Sequence, residues 1–309
     1  MFDAVPFFFA LGMVAKLAKS ELKLPVAVFE ALSIYLLLAI GLKGGVQLAS
    51  NAGPEVAQHA LLAILLGAAI PLFAFPLFRW RFSRFDAASL AAHYGSVSIV
   101  TFAVGVTVLD QQGISHEGHL ALLAALMEVP AILVATVLAR LGGPQPPAWR
   151  SLLHEVLANK SVLLLLGGIA IGWLAGAEGT AALKPLFTDL FKGALCLFLL
   201  EMGLVAASRL GDLRQAGRFL IGCAIALPLL NAGLGLGAAV LMGLSLGGTV
   251  LLMILAASAS YIAAPTAMRL AVPEANPALG IAAALGVTFP FNVLAGIPLY
   301  LAVASRVVG

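Results

Sequence analysis

The stretch "LAASASYIAAPTAMRL", Leu255–Leu270, decides how this chain is read. It falls inside an apolar run long enough to cross a membrane, yet it is built of Ala and Ser, turns at Tyr261 and carries Pro265. Proline in a helix interior removes a backbone donor and clashes with the carbonyl four residues back, at about 3 kcal/mol or more. At the first position of a helix it costs little, because that amide has no intrahelical partner. The stretch therefore predicts two half-helices, with a break near Ser260 to Ala264 and a restart at Pro265. Broken backbone at membrane depth is tolerated only where protein or a water-filled cavity surrounds it. The restarted half would aim its N-terminus, with free amides and about half a positive charge, at the middle of the membrane.

The rest of the sequence agrees with a membrane setting. Of 309 residues, 62% are hydrophobic and 10% charged, against about 25% charged in a soluble domain. Apolar segments of membrane-crossing length number ten: Asp3 to Ala18, Leu24 to Leu42, Val56 to Phe78, Asp86 to Leu109, His119 to Leu141, Val162 to Ala177, Pro185 to Ala207, Phe219 to Met242, Gly247 to Leu270, and Pro277 to Val303. The N-terminal segment lacks a basic region and a small-residue cleavage site, and reads as the first span. Cys196 and Cys223 lie in apolar spans and indicate neither a disulfide framework nor a metal site.

Lys and Arg favour cytoplasmic loops. The odd-numbered loops hold thirteen of the 17 basic residues, and Lys43, Lys184, Lys192 and Arg306 make up the remaining four. This places both termini outside and the protein in the cell's inner (plasma) membrane. The net charge of +3 is then a matter of topology and needs no nucleic acid.

The chain also resembles itself. "LLLAIGLKGGVQL" (36–48) aligns with "FLLEMGLVAASRL" (198–210), pairing Gly41 with Gly203 at an offset of 162; Pro71 pairs with Pro228 at 157 and Pro130 with Pro290 at 160. The anchors join spans 2 to 7, 3 to 8 and 5 to 10. Each repeat then holds five spans, and an odd number forces the second copy to enter the membrane from the opposite side. The expected fold is all-α: ten transmembrane helices in two inverted five-helix repeats, residues 1–141 and 161–309, joined by a short cytoplasmic linker at 142–160.

Span 4 is the counterpart of span 9. It carries "AAHYGSVSIVT" (91–101), with "SVSI" facing "SYIA" at an offset near 163, and it restarts near Ser98. Small residues also let helices pack closely, so either span alone is equally a packing surface; their symmetry favours two breaks crossing at mid-membrane. Two convergent helix N-termini form an anion site. Gly95, Ser96, Ser98, Thr101, Ser258, Ser260, Tyr261 and Thr266 are the candidate binding residues, their hydroxyls suiting a small oxyanion or a sodium ion. Carboxylates in mid-membrane cost about 2.5 to 3.5 kcal/mol and tend to work, which singles out Glu128 and Glu201 for cation coupling or for structural hydrogen bonds. Asn231, Asn292 and His93 read as packed polar groups.

The motifs "IGLKGGVQL", "YGSVSIVT", "MEVPAILVA", "MGLVAASRLGDL" and "AASASYIAAPTAMRLAVPEANP" resemble the sodium-dependent bicarbonate transporter family, typified by a cyanobacterial permease, over nearly the whole chain. The resemblance implies a homotrimer, a core domain that moves past a gate domain, binding of substrate and sodium where spans 4 and 9 cross, no organic cofactor, and a PII-like regulatory partner on the cytoplasmic face. Tyr261 stands where the family carries an aspartate, Ala263 and Ala264 where it carries Ser-Gly, and Ile99 and Val100 where it carries Gly-Ser. Glu128 stands at an aspartate of the family, and Glu201 one turn before its glutamate. The expected function is sodium-coupled uptake of bicarbonate. Alternatives are proton coupling through Glu201 with another small carboxylate, and an intramembrane serine hydrolase using Ser96 or Ser98 with His93.

Overall fold

Runs of Leu, Ala, Val and Ile broken by Gly and Pro leave each segment no way to satisfy its backbone in lipid except as helix. The computed structural model describes residues 4–51, 53–141 and 149–309, and it is helical throughout with no strand among them. The helices are α1 (Val5–Leu17), α2 (Val26–Asn51), α3 (Glu55–Arg79), α4 (Arg84–Gly95), α5 (Ile99–Gln111), α6 (Leu120–Arg140), α7 (Trp149–Leu157), α8 (Lys160–Thr180), α9 (Phe191–Ser208), α10 (Leu210–Met242), α11 (Leu246–Ala257), α12 (Ala263–Ala271) and α13 (Pro277–Val307). Among the described residues, eight helical stretches are long and apolar enough to cross a membrane, α4 and α5 counting together as Arg84–Gln111; α1 and α11 are shorter apolar helices.

Contacts divide the helices into two groups. In the first, α1 packs on α9 and α2 on α8. Both crossings are set by glycines: a Cβ on Gly41 would stand 2.5 Å from Leu165 O and 3.0 Å from Gly168 Cα, and one on Gly203 would stand 3.0 Å from Gly12 Cα and closer still to Phe9 O. Only glycine permits backbones to approach so closely, as is common between membrane helices.

In the second group α3 packs on α4 and α6, α10 on α11 and α13, α5 on α11, and α12 on α4, α6 and α7. The α4–α5 stretch lies at its centre, with 94% of its apolar window buried against 28–61% for the other spans. α13 widens into π-type turns at 284–288 and 292–296. Each contains the carbonyl four residues before a proline, Pro290 or Pro298, and a wide turn relieves the clash that proline creates there.

Three details differ from the sequence-based expectation. Part of the expected linker is helix: residues 142–148 lie outside the described residues, but α7 seats Leu152 and Val156 against Ala264, Ala267 and Met268 of α12. The expected start of span 7 at Pro185 is a wide turn ending at Asp189, and the helix begins at Phe191. The second restart comes two residues early, at Ala263. Pro265 is then the third residue of α12, where its missing N–H still falls among the amides without an intrahelical partner.

At the other end of α12, Arg140 holds the chain by donating from Nη1 to Glu274 Oε1 at 2.6 Å and from Nη2 to Glu274 Oε2 at 3.1 Å and Ala271 O at 2.8 Å. The Arg140 hydrogen bonds hold the Glu274 carboxyl below its ordinary value of 4.5. A lowered carboxyl value contributes stability that is present above the ordinary value and is lost as pH falls through the folded one. Glu274→Gln is therefore expected to flatten the acid limb of a thermal-unfolding profile below about pH 4.5; an unchanged limb would show the pair to be thermodynamically silent.

Candidate functional site

Serine hydroxyls can stand in for a backbone partner and so start or end a helix within an apolar run. α4 starts under Ser83, whose Oγ accepts from Asp86 N at 3.1 Å, and α11 under Ser245, whose Oγ accepts from Gly248 N at 3.2 Å. Each ends at an extended serine, Ser96 (φ −82°, ψ 159°) and Ser258 (φ −79°, ψ 165°). The caps and the terminal serines are both 162 residues apart, the same register as the Gly41–Gly203 pairing.

The two interruptions tie to each other. Ser98 N donates to Ser258 Oγ at 2.8 Å, and Ser260 N donates to His93 O at 2.7 Å. Ser98 Oγ caps α5, accepting from Thr101 N at 3.3 Å and Thr101 Oγ1 at 2.9 Å, while Ser260 Oγ accepts from Ala264 N at 3.2 Å. Asn292 Nδ2 donates to Ala257 O at 2.9 Å, and Tyr300 OH donates to Asn292 Oδ1 at 2.7 Å.

The two interruptions are bonded differently. Ser258 Oγ both donates to Leu255 O at 2.8 Å and receives Ser98 N, whereas Ser96 Oγ is buried with no hydrogen-bond partner among the described residues, Ser260 N bonding the His93 carbonyl instead. Ser258→Ala would strand the Ser98 amide, at about 1–3 kcal/mol. Ser96→Ala removes a hydroxyl that bonds nothing and should leave stability unchanged or higher. Thermal unfolding of the two variants in detergent compares them directly, and an equal loss in both would contradict this assignment.

Beside the crossing, between the two helix groups, lies a cavity of about 30 Å³, room for a small ion or one or two waters. Ser98, Ser260 and Tyr261 line it from the interruptions, Glu128 from α6, Ser33 from α2 and Ser161 from α8. Tyr261 has a buried hydroxyl, and its ring meets Phe289 edge-on at 5.6 Å between centroids. Glu128 is 2% exposed and makes no hydrogen bond or ion pair with any described residue. The cavity thus collects, among apolar side chains, four serines, Tyr261, the N-terminal ends of α5 and α12, and the carboxyl group of Glu128.

Other residues named from the sequence lie elsewhere. Thr266 is exposed and donates to Ile262 O of its own helix at 3.0 Å. A Cβ on Gly95 would meet Pro71 Cδ at 2.7 Å and Ala131 Cβ at 3.0 Å, which makes it a packing glycine. Glu201 Oε2 accepts from Leu24 N at 3.1 Å at the approach to α2. His93 Nδ1 is engaged with Ser89 O at 2.8 Å, and its Nε2 has no hydrogen-bond partner among the described residues. Ser33 and Ser161 were missed; their signal was a hydroxyl inside or beside an otherwise apolar span.

Apolar helices interrupted beside a small internal cavity are a feature shared with membrane transporters. The chain is a member of the Na+-dependent bicarbonate transporter superfamily, whose family profile matches residues 5–305. No individual curated protein matches it. Membership carries sodium dependence and bicarbonate as the family's ion and substrate.

Proposed function

We propose that the protein is a secondary active transporter that takes up a small anion, bicarbonate first, together with sodium. The observation that carries this reading is the cavity itself, where hydroxyls from both interruptions meet Glu128 at the seam between the two helix groups. With Glu128 ionised, a monoanion entering beside it would face a like charge. At a separation of ~5 Å and an effective dielectric constant of ~20 the repulsion is about 3 kcal/mol, and among the described residues the cavity lining holds no Lys, Arg or His to offset it. A monovalent cation on or near Glu128 removes that cost, so the anion binds with or after the cation.

The ten-span, inverted-repeat reading is part of this proposal. Counting α1 and the α11–α12 pair with the eight long spans brings the number to ten. Reciprocal packing of α1 on α9 and α2 on α8, glycine against glycine in both, supports two related halves at 1–141 and 161–309. The seam supports an elevator motion, in which the group carrying both interruptions slides along the glycine-locked group and exposes the cavity to each side in turn.

Glu128 equally suits a proton, because it is a buried carboxylate with no cation partner; this second reading moves proton coupling from Glu201, already a backbone acceptor, to Glu128. Uptake of labelled bicarbonate into proteoliposomes distinguishes the two. A sodium gradient should drive accumulation above equilibrium and a proton gradient should not. The reverse result would select proton coupling, and no accumulation of bicarbonate or any small carboxylate under either gradient would reject transport.

A further inference from the structure

The seam holds a second cavity. It has a volume of about 250 Å³ and lies toward the end of α2 that carries Lys43, bounded by α2, α5, the loop before α6 and the start of α9. Ile40 lines both this cavity and the inner one, so a single apolar side chain of α2 stands where the two meet. At the outer rim Lys43 Nζ donates to Asp110 Oδ2 at 2.7 Å, with the side chains 40% and 47% exposed. His116 stands behind, 8% exposed, its Nε2 3.7 Å from Asp110 Oδ1. Lys43 belongs to the glycine-locked group, and Asp110 and His116 belong to the group that carries the interruptions.

We propose that this outer cavity is the vestibule through which the anion reaches the binding cavity, and that the Lys43–Asp110 pair is a clasp that closes only in the state described here. The proposal rests on the transport reading above. Its logic is geometric. Displacement of one helix group along the other by a single turn, ~5.4 Å, carries Asp110 out of hydrogen-bonding reach of Lys43, so the clasp must open in every transport cycle. It must also be weak. A rim-exposed ion pair biases an equilibrium by up to about five-fold, equivalent to ~1 kcal/mol, enough to set which state predominates and too little to arrest the motion. His116 holds Asp110 from the far side, keeping the carboxylate at the rim within reach when the groups realign.

The test is a charge-swap cycle on the full chain in proteoliposomes. Lys43→Asp and Asp110→Lys, each of which sets like charges face to face, should each change the initial rate of sodium-driven bicarbonate uptake by at least three-fold. The double swap should return the rate to within two-fold of the wild type. Because neither residue lines the inner cavity, half-saturating bicarbonate and sodium concentrations should stay within two-fold throughout. As a second arm, a short bifunctional thiol reagent bridging Lys43→Cys and Asp110→Cys should stop uptake, and a cleavable version should restore it on reduction. Cys196 and Cys223 are buried and do not compete. Wild-type transport with single swaps that leave the rate unchanged, a well-folded double swap that does not restore it, or a bridge that leaves uptake intact would each overturn the clasp while leaving the transport reading standing. Absence of wild-type uptake would instead overturn the transport reading and the clasp with it.

Discussion

Glu128→Gln should lower sodium-driven bicarbonate uptake by about a hundred-fold or more and remove its sodium dependence, while the protein still folds. The substitution keeps the shape of the side chain but removes the charge that the cation offsets. Glu128 has no partner among the described residues, so no ion pair is lost with it. An isolated buried carboxylate is itself costly to the fold, so thermal stability in detergent should hold or rise. Loss of uptake with stability retained separates a coupling role from a structural one. Glu201→Gln should behave differently, because its carboxylate accepts the Leu24 amide and an amide oxygen still can; uptake should remain near wild type. Full uptake by Glu128→Gln would remove the carboxylate from the mechanism.

Gly203→Val should cost about 3 kcal/mol of stability, near the upper end for overpacking, and reduce the yield of folded protein. The new Cβ would fall against the Phe9 carbonyl and within 3.0 Å of Gly12 Cα, so what must move is backbone and not a flexible side chain. Gly41→Val should act alike through Leu165 O at 2.5 Å and Gly168 Cα at 3.0 Å. Gly167→Val is the control: its Cβ would meet nothing within 4 Å, although Gly168 beside it is at the crossing. Thermal unfolding should place Gly203→Val and Gly41→Val together and well below Gly167→Val. If all three unfolded alike, generic loss of glycine and not the helix crossings would be responsible.

These expectations show which parts of the molecule its sequence revealed. Membrane class, the positions of the long spans and the two serine-rich interruptions were legible because each depends on local chemistry: hydropathy, glycine and proline placement, and serines able to cap a helix. The start of α12 was misjudged because proline is tolerated anywhere in a first turn, so Pro265 marked the turn but not its first residue. α7 was hidden because "WRSLLHEVL" is too short and polar for a membrane span, and it is held by tertiary contact of Leu152 and Val156 with α12.

The lining of the inner cavity was legible in part. Ser98, Ser260, Tyr261 and Glu128 do reach one cavity, and Thr101 and Ser258 support it through hydrogen bonds. Thr266 and Gly95 shared the local pattern of small and polar residues, but helix phase turns the first outward and packs the second against Pro71. The places of Ser33 and Ser161 and the Lys43–Asp110 ion pair depend on which helices become neighbours, and nothing within a single segment announces that.

Hydroxyls at the two interruptions should bind a small anion only together with a cation. This is tested most directly by the thermal shift of purified protein on adding bicarbonate in sodium or in choline buffer at matched ionic strength and pH. A ligand at ~100 times its dissociation constant stabilises the folded state by about 2.7 kcal/mol. A saturable bicarbonate-dependent shift is expected in sodium, none in choline, and its loss in Ser98→Ala/Ser260→Ala. Equal shifts in both buffers, or an unchanged shift in that variant, would contradict it.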